Sequence, residues 1–356
     1  VYSLNGNTGL CTVAVDAMGG DHAPDEILKG AAEAAARGVT ILLVGQASLL
    51  EERIAALNLP RMPIHDAPDV IGMDEQLKAV RRKKGSSLHV AARLVTEGAA
   101  DAAVSAGNSA AIMVVSMLEC GVQVGIDRPA FGSMLPTVKD GCFLLDVGAN
   151  SVVTAENLVQ FAIMGEVYVR LARKIDRPRV ALLSNGSEDF KGTKEIKEAG
   201  ELLRNIDMNF IGNVEGNHVF EGNVDVVVCD GFSGNIFLKG VEGVGLFLFD
   251  LVREEVTRDI VGKIAGAALS PAFGRIRRRV DYQEHGGAAV LGVNEVIVNC
   301  HGRSRARAIT TSILQAEKLA RDRLVERIGE ALHHDDAEAR RGSRIVRALH
   351  LRGEKV

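Results

Sequence analysis

The chain has 356 residues, 47% of them hydrophobic, with 38 glycines, no tryptophan and a formal net charge of −4. That length can bury a large α/β core, and so small a charge gives no support for a nucleic-acid partner. Cys11, Cys120, Cys142, Cys229 and Cys300 stand apart with no C-x-x-C pair, which speaks against a zinc site or disulfide framework and for a reducing, cytoplasmic setting.

Residues 1–11 lack the basic and apolar regions of a signal peptide and are expected to be a frayed leader. Thr12–Val15 is β-branched and apolar, the pattern of a buried strand. It runs through Asp16, Gly19, Gly20, Asp21, His22 and Pro24 into a helical pattern from Asp25 to Arg37. A strand that passes through glycines into a helix leaves backbone N–H groups at a positive helix end, which suits an anion. Asp16, Asp21 and His22 add the groups that move protons. The stretch is not a G-x-G-x-x-G fingerprint, so a dinucleotide site gains little from it.

Further strands are predicted at Val39–Val44, Met62–His65, Ala102–Ser105, Cys142–Val147, Val180–Ser184, Asn209–Ile211 and Val224–Cys229. Helices are predicted at Ala47–Leu57, Ser86–Glu97, Ser109–Cys120, Thr154–Lys174 and Thr193–Asn205. Strands apolar on both faces and separated by helices imply an α/β fold with a mainly parallel sheet covered on each side. Ala289–Cys300 can add one or two antiparallel strands before a last helix, Ser304–Ile328. One catalytic domain is read over 12–330, and 331–356 as a poorly ordered charged tail.

Glycine-rich polar loops follow the strands: Ala106–Ser109, Val147–Asn150, Asn185–Gly192, Gly212–Gly216 and Asp230–Asn235. In an open parallel sheet such carboxyl-end loops gather along one crevice, where ligands bind. One Gly-Asn loop is a plain turn; five in this position favour a crevice for a phosphate-like anion. Arg81-Arg82-Lys83-Lys84 is a solvated face, a docking patch for an acidic partner, or a phosphate clamp if one of the four turns inward. From Gly245 to Val280 apolar residues recur at helical spacing, with a turn expected at Ser270-Pro271 and Phe273, Ile276 and Val280 set among Arg275 and Arg277–Arg279. This hairpin, about 243–281, suits a dimer interface in its first half and an anionic membrane surface in its second. Its most apolar part, Val241–Val252, is broken by Glu242 and Asp250, so no segment is expected to span a bilayer.

The ordered stretches VAVDAMGGDHAP (13–24), VRRKKGSS (80–87), SAGNSAA (105–111), DRPA (127–130), LLDVGAN (144–150), SNGSEDFKG (184–192), FIGNVEG (210–216), DVVVCDGFSGN (225–235), HGGAAVLGV (285–293) and HG (301–302) resemble the bacterial phosphate acyltransferases of phospholipid synthesis. Ser109, His285 and Gly85 depart from that pattern, where threonine, tyrosine and a polar residue are expected. The resemblance implies a three-layer α/β/α fold similar to the isocitrate/isopropylmalate dehydrogenase and phosphotransacetylase group. It implies a homodimer without nicotinamide, attached peripherally to the inner face of the cell membrane through Leu269, Phe273, Ile276 and Arg277. The implied reaction moves a fatty acyl group from acyl-acyl-carrier-protein to inorganic phosphate, with no cofactor or metal required. Gly19, Gly20, Ser105, Gly107, Asn108, Ser109, Asn185 and Gly186 are then assigned to phosphate. Lys191 would neutralise charge, His22 would protonate the departing thiolate with Asp16 or Asp21 orienting it, and Arg81–Lys84 would dock the acidic carrier protein. Alternatives are a phosphotransacetylase-like enzyme using acyl-coenzyme A and a non-catalytic carrier-protein scaffold at the membrane.

Overall fold

The computed structural model describes residues 11–280 and 286–342. The chain opens with β1 (Thr12–Asp16), α1 (Asp25–Ala36), β2 (Thr40–Gly45), α2 (Ala47–Ala56), β3 (Ile64–Asp66), α3 (Leu77–Val80), α4 (Ser87–Thr96), β4 (Ala102–Ser105) and α5 (Ser109–Val115), which runs into a π-helical turn at Ser116–Cys120. There follow β5 (Ala130–Leu135), β6 (Cys142–Leu145), α6 (Ala155–Arg173), β7 (Val180–Leu183), α7 (Lys194–Leu203), β8 (Phe210–Val214), a 3-10 turn at His218–Glu221, β9 (Val226–Val228), α8 (Gly231–Thr257) and α9 (Ile260–Val280). β10 (Ala288–Leu291), β11 (Ile297–Asn299), α10 (Ala306–Arg321) and α11 (Leu324–Gly342) complete it.

Where the sequence reading draws one domain over 12–330, the chain gathers into two compact units, 1–129 with 286–329 and 130–285 with 330–356. The first orders its strands β3-β2-β1-β4-β11-β10. All its pairs are parallel except β10 with β11, the antiparallel addition expected from Ala289–Cys300. The chain moves from β1 to β2 to β3 in one direction and then returns past β1 to β4. Right-handed crossovers therefore place α1 and α4 on opposite faces, and α10 packs beside α1. The second unit orders its strands β5-β6-β9-β7-β8, parallel except β5 with β6. Its core is Val226–Val228, Val180–Leu182 and Phe143–Leu145 under Phe161, Met164 and Tyr168 of α6, with the Phe143 and Tyr168 rings stacked 3.9 Å apart.

Three expectations are corrected. β5 has no counterpart in the predicted strands. Its Gly132 lies against the Phe143 ring, where a Cβ would collide, so a residue that weakens strand propensity is what the packing requires. The hairpin also turns elsewhere. Pro271 lies inside α9, and the break is at Arg258-Asp259, where the Asp259 carboxylate accepts from Gly262 N at 2.6 Å and starts the new helix. The last helix divides at Arg323, which takes φ 56°, and α11 continues through the segment read as tail to Gly342. Residues 1–10, within the expected leader, and 343–356, within the expected tail, lie outside the described residues. No helix among the described residues is long and apolar enough to cross a membrane.

Candidate active site

In the first unit, β1 and β4 are neighbours at the point where the strand order reverses, the chain leaving β1 toward β2 and β3 and then returning past it to β4, the arrangement that opens a crevice at their carboxyl ends. Asp16 ends β1 and Ser105 ends β4. The Ser105 hydroxyl donates to Asp16 Oδ2 at 2.6 Å, and Met18 N donates to Asp16 Oδ1 at 3.1 Å. Ser105 Oγ in turn accepts from Gly107 N at 3.1 Å. Both side chains are buried. Burial pushes the Asp16 carboxyl above its ordinary range, against hydrogen bonds from Ser105, Ser87, Met18 N and Gly19 N that favour its ionised form.

The glycines fit this cluster closely. A Cβ on Gly19 would lie 2.7 Å from Asp16 Oδ2, 2.9 Å from Gly107 N and 3.0 Å from Ser105 Oγ. Gly20 takes φ 106° with Ala106 and Gly302 O beside it, a conformation natural to glycine. Asp21 N donates to Gly302 O at 2.8 Å, so the 301–302 loop closes over the 19–21 loop. Asn108 is committed at both ends: its Nδ2 donates to Met73 O at 2.6 Å and its Oδ1 accepts from Ala111 N at 3.1 Å, capping α5. Ser109 is exposed, and its Oγ accepts from Asn299 Nδ2 at 2.9 Å. The other amide atom, Asn299 Oδ1, is buried without a hydrogen-bond partner.

The structure thus brings Asp16, Gly19, Gly20, Ser105, Gly107, Asn108 and Ser109 together. It corrects one relation: the Asp16 carboxylate serves Ser105, Ser87 and the 18–19 amides, and among the described contacts does not orient His22. His22 is half-buried and Asp21 exposed in the turn that precedes α1. Ser87, Asn299 and Gly302 escape the sequence reading as site residues. The G-S-S before α4 was a usable signal, because Ser86 caps that helix and so directs its N-terminus and Ser87 toward Asp16.

The second unit has its own carboxyl-end loops. Asp146, after β6, is fully buried and accepts from Phe131 N, Gly148 N, Ala149 N, Asn150 N and Asn150 Nδ2 at 2.7–3.2 Å. Burial still pushes its carboxyl up, with those donors opposing. The 148–150 amides are therefore turned onto Asp146. After β7, Asn185 Oδ1 accepts from Gly192 N at 3.0 Å. Gly186 packs against the Lys191 stem, where a Cβ would lie 2.8 Å from Lys191 Cγ. The Lys191 ammonium sits 5.6 Å from the Phe190 ring centroid.

In the basic run, Lys83 Nζ donates to Val70 O at 2.8 Å and pairs with Glu75 at 2.7 Å. It is a local fastener, and Arg81, Arg82 and Lys84 are the exposed members. On the hairpin, Leu269 and Ile276 are half exposed, Phe273 is half-buried, and the Arg277 side chain lies outside the described residues.

Solved structures share this fold. A phosphotransacetylase from Streptococcus pyogenes aligns over 87% of the chain and 94% of its own length with TM-score 0.60 at 17% identity. The EutD phosphotransacetylase from Staphylococcus aureus aligns over the same shares with TM-score 0.58 at 15% identity. The fold is thus the one phosphotransacetylases use. Sequence relatives are nearer: a phosphate acyltransferase of Exiguobacterium sp. is 45% identical over 90% of this chain and 98% of its own, and one of Gloeobacter violaceus 44% over 92% and 99%. The family described as fatty acid synthesis protein matches residues 11–327. The chain belongs to this family, the phosphate acyltransferases, and is an enzyme of that class.

Proposed function

We propose that the chain transfers a fatty acyl group from acyl-acyl-carrier-protein to inorganic phosphate, giving acyl-phosphate for phosphatidic acid synthesis. The observation that supports this most is the Asp16–Ser105 pair at the crevice between β1 and β4, which fixes the Gly19–Gly20 and Gly107–Ser109 loops at the place where this sheet topology binds ligands. A phosphate oxygen attacks the thioester carbonyl carbon, the carbon–sulfur bond breaks, and the thiolate takes a proton. Phosphate is partly dianionic near neutral pH, so placement and oxyanion stabilisation matter more than a strong base.

The Ser109 hydroxyl, which accepts from Asn299, keeps its own proton for a phosphate oxygen, and the Gly19, Gly20 and Gly107 backbone shapes the cradle. Asp16 and Ser105 act as positioning groups, because the Ser105 proton goes to Asp16. His22 supplies the proton to the thiolate, with Asp21 beside it. In the second unit, Asn185 and Gly186 hold the Lys191 loop, and Lys191 is assigned from that loop alone to neutralising charge on reacting oxygens.

Arg81, Arg82 and Lys84 supply the charge that an acidic carrier protein would meet. The α8–α9 hairpin exposes Leu246, Phe247, Val261, Ile264 and Leu269. That apolar surface supports a homodimer and peripheral contact with the inner face of the membrane.

The test mixes the purified protein, a long-chain acyl-carrier protein and phosphate, and traps acyl-phosphate with hydroxylamine. Phosphate-dependent hydroxamate with release of free carrier protein is expected. Product from acyl-coenzyme A alone would make it a phosphotransacetylase-like enzyme, and no product from folded protein would overturn the reading.

A further inference from the structure

α4 carries two side chains that reach back to the chain just before it. His89 is fully buried. Its Nε2 lies 3.0 Å from Val80 O, and its Nδ1 lies 2.6 Å from Glu119 Oε1 in the 116–120 turn. A carbonyl oxygen only accepts, so the Nε2 proton is the one that holds Val80. One turn on, Arg93 Nη2 donates to Lys84 O at 3.1 Å and to Glu119 Oε1 at 3.2 Å, and Arg93 Nε donates to Glu119 Oε2 at 3.4 Å. Burial opposes ionisation of Glu119, but the hydrogen bonds from Arg93 and His89 hold its carboxyl below the ordinary range. One ionised carboxylate thus fixes both side chains.

The two carbonyls so held bracket the basic run: Val80 precedes Arg81, and Lys84 ends it. Inside the run, Lys83 is drawn to Val70 O and Glu75. Arg81, Arg82 and Lys84 are exposed, on a backbone tied at three points. The base of these ties is firm. Leu88, Ala91, Ala92 and Leu94 of α4 are buried, and Ser87, its first residue, bonds Asp16.

We propose that His89 and Arg93 are positioning residues for the acyl donor: they hold the 80–84 backbone so that Arg81, Arg82 and Lys84 are presented together to an acidic carrier protein. The inference rests on the docking role proposed above for that run. Long side chains on a loose loop must be ordered at the moment of binding, which weakens association. A tied backbone removes part of that penalty, and charges of one sign then meet the partner's carboxylates together.

Asparagine places its amide nitrogen near the position of the ring's Nδ1, and glutamine near that of its Nε2. His89→Asn therefore keeps a donor for Glu119 and loses the Val80 bond, and His89→Gln does the reverse; both should lower stability. His89→Asn and, at a partly exposed position, Arg93→Ala should each raise KM for acyl-carrier protein about three- to tenfold, with kcat and KM for inorganic phosphate within about twofold of the parent. His89→Gln should keep the carrier-protein KM within about twofold of the parent. The hydroxylamine trap supplies the rates, run beside the variant with Arg81, Arg82 and Lys84 charge-reversed. If charge reversal leaves the carrier-protein KM unchanged, the docking reading fails and this inference falls with it. If charge reversal raises that KM but His89→Asn and Arg93→Ala do not, the positioning role alone is overturned. An equal rise in His89→Asn and His89→Gln, or a fall in kcat with KM unchanged, also overturns it, because either belongs to a general loss of structure. Should His89→Asn fail to fold, Arg93→Ala decides through the Lys84 bond.

Discussion

Replacing Ser105 by alanine removes the donor that holds Asp16 Oδ2 at 2.6 Å and the acceptor of Gly107 N. Both groups are buried, so water does not substitute. Where Asp16 is ionised, losing a hydrogen bond to it costs about 1.5–3 kcal/mol, and the orphaned amide about 1 kcal/mol more. The Ser87 hydroxyl and the Met18 and Gly19 amides remain on Asp16, which keeps the total near the middle of that range, at roughly 2.5 kcal/mol. With no tryptophan in the chain, the assay is urea unfolding by far-UV circular dichroism, where a midpoint shift of roughly 1 M is expected. In an Asp16→Asn background the same substitution leaves no buried charge and should cost only about 1 kcal/mol, a coupling of roughly 1.5 kcal/mol. The pH dependence has a definite sign. Because burial holds the Asp16 carboxyl above its ordinary range, the unfolded chain releases that proton first as pH rises. This contribution is full below the ordinary carboxylate range and is lost as pH rises through the folded-state value. Ser105→Ala removes a bond that favours the ionised form, so the loss should extend to higher pH, and Asp16→Asn should abolish it. Equal cost in both backgrounds would refute the account, as would an unchanged pH slope.

Other outcomes follow from single contacts. Gly234→Ala places a Cβ against Asp146 O and 2.7 Å from Cys229 Sγ, so it should cost about 3 kcal/mol or more, read as lost soluble yield and a lowered urea midpoint. All five cysteines are buried, and burial pushes the Cys11, Cys120 and Cys300 thiols up to about 12; the folded protein should resist a thiol reagent at pH 8 and react fully only when unfolded. Charge reversal at Arg81, Arg82 and Lys84 should raise KM for acyl-carrier protein about tenfold at low salt, with the difference shrinking as salt screens the charges. Lys83→Ala should instead lower stability with little effect on that KM, because its ammonium is held by Glu75 and Val70 O.

What the sequence made legible was local. Short runs apolar on both faces, followed by glycine-rich loops, placed the parallel strands within a few residues, and their polar loops marked the carboxyl ends. What it hid depended on partners far along the chain. The Lys83–Glu75 pair turns one cation of an apparently uniform run inward, and nothing in R-R-K-K singles it out. Asn299, 190 positions from Ser109 in sequence, meets it only because β11 pairs with β4 and sets Asn299 beside Ser105. The Ser270-Pro271 turn failed for a different reason. Proline removes one helical hydrogen bond on a surface helix, whereas Asp259 supplies a cap at the start of α9, and the cap decided where the chain turns.

The polar loops read as a row of anion-binding donors prove to be two kinds of structure. After β1 and after β6 the strand ends in a buried aspartate that draws the following backbone onto itself: Asp16 takes Met18 N, two residues on, and Asp146 takes Gly148 N and Ala149 N, two and three residues on. Such a carboxylate sets the loop's shape and consumes its amides. D-A-M-G-G and D-V-G-A-N are therefore each builders of their own loop, and the amides so held are subtracted from those a ligand can use. The loops that keep donors outward lack a buried aspartate at the strand end. After β4, Ser105 hands its proton to Asp16 and leaves Ser109 exposed. After β7, Ser184 Oγ is buried without a hydrogen-bond partner, and the loop's charge is the Lys191 ammonium. Substitutions at Asp16 and Asp146 should accordingly be read first by stability, and those at Ser109 and Lys191 by turnover with stability unchanged. An equal loss of stability at Ser109 or Lys191 would erase the distinction between loop builder and cradle.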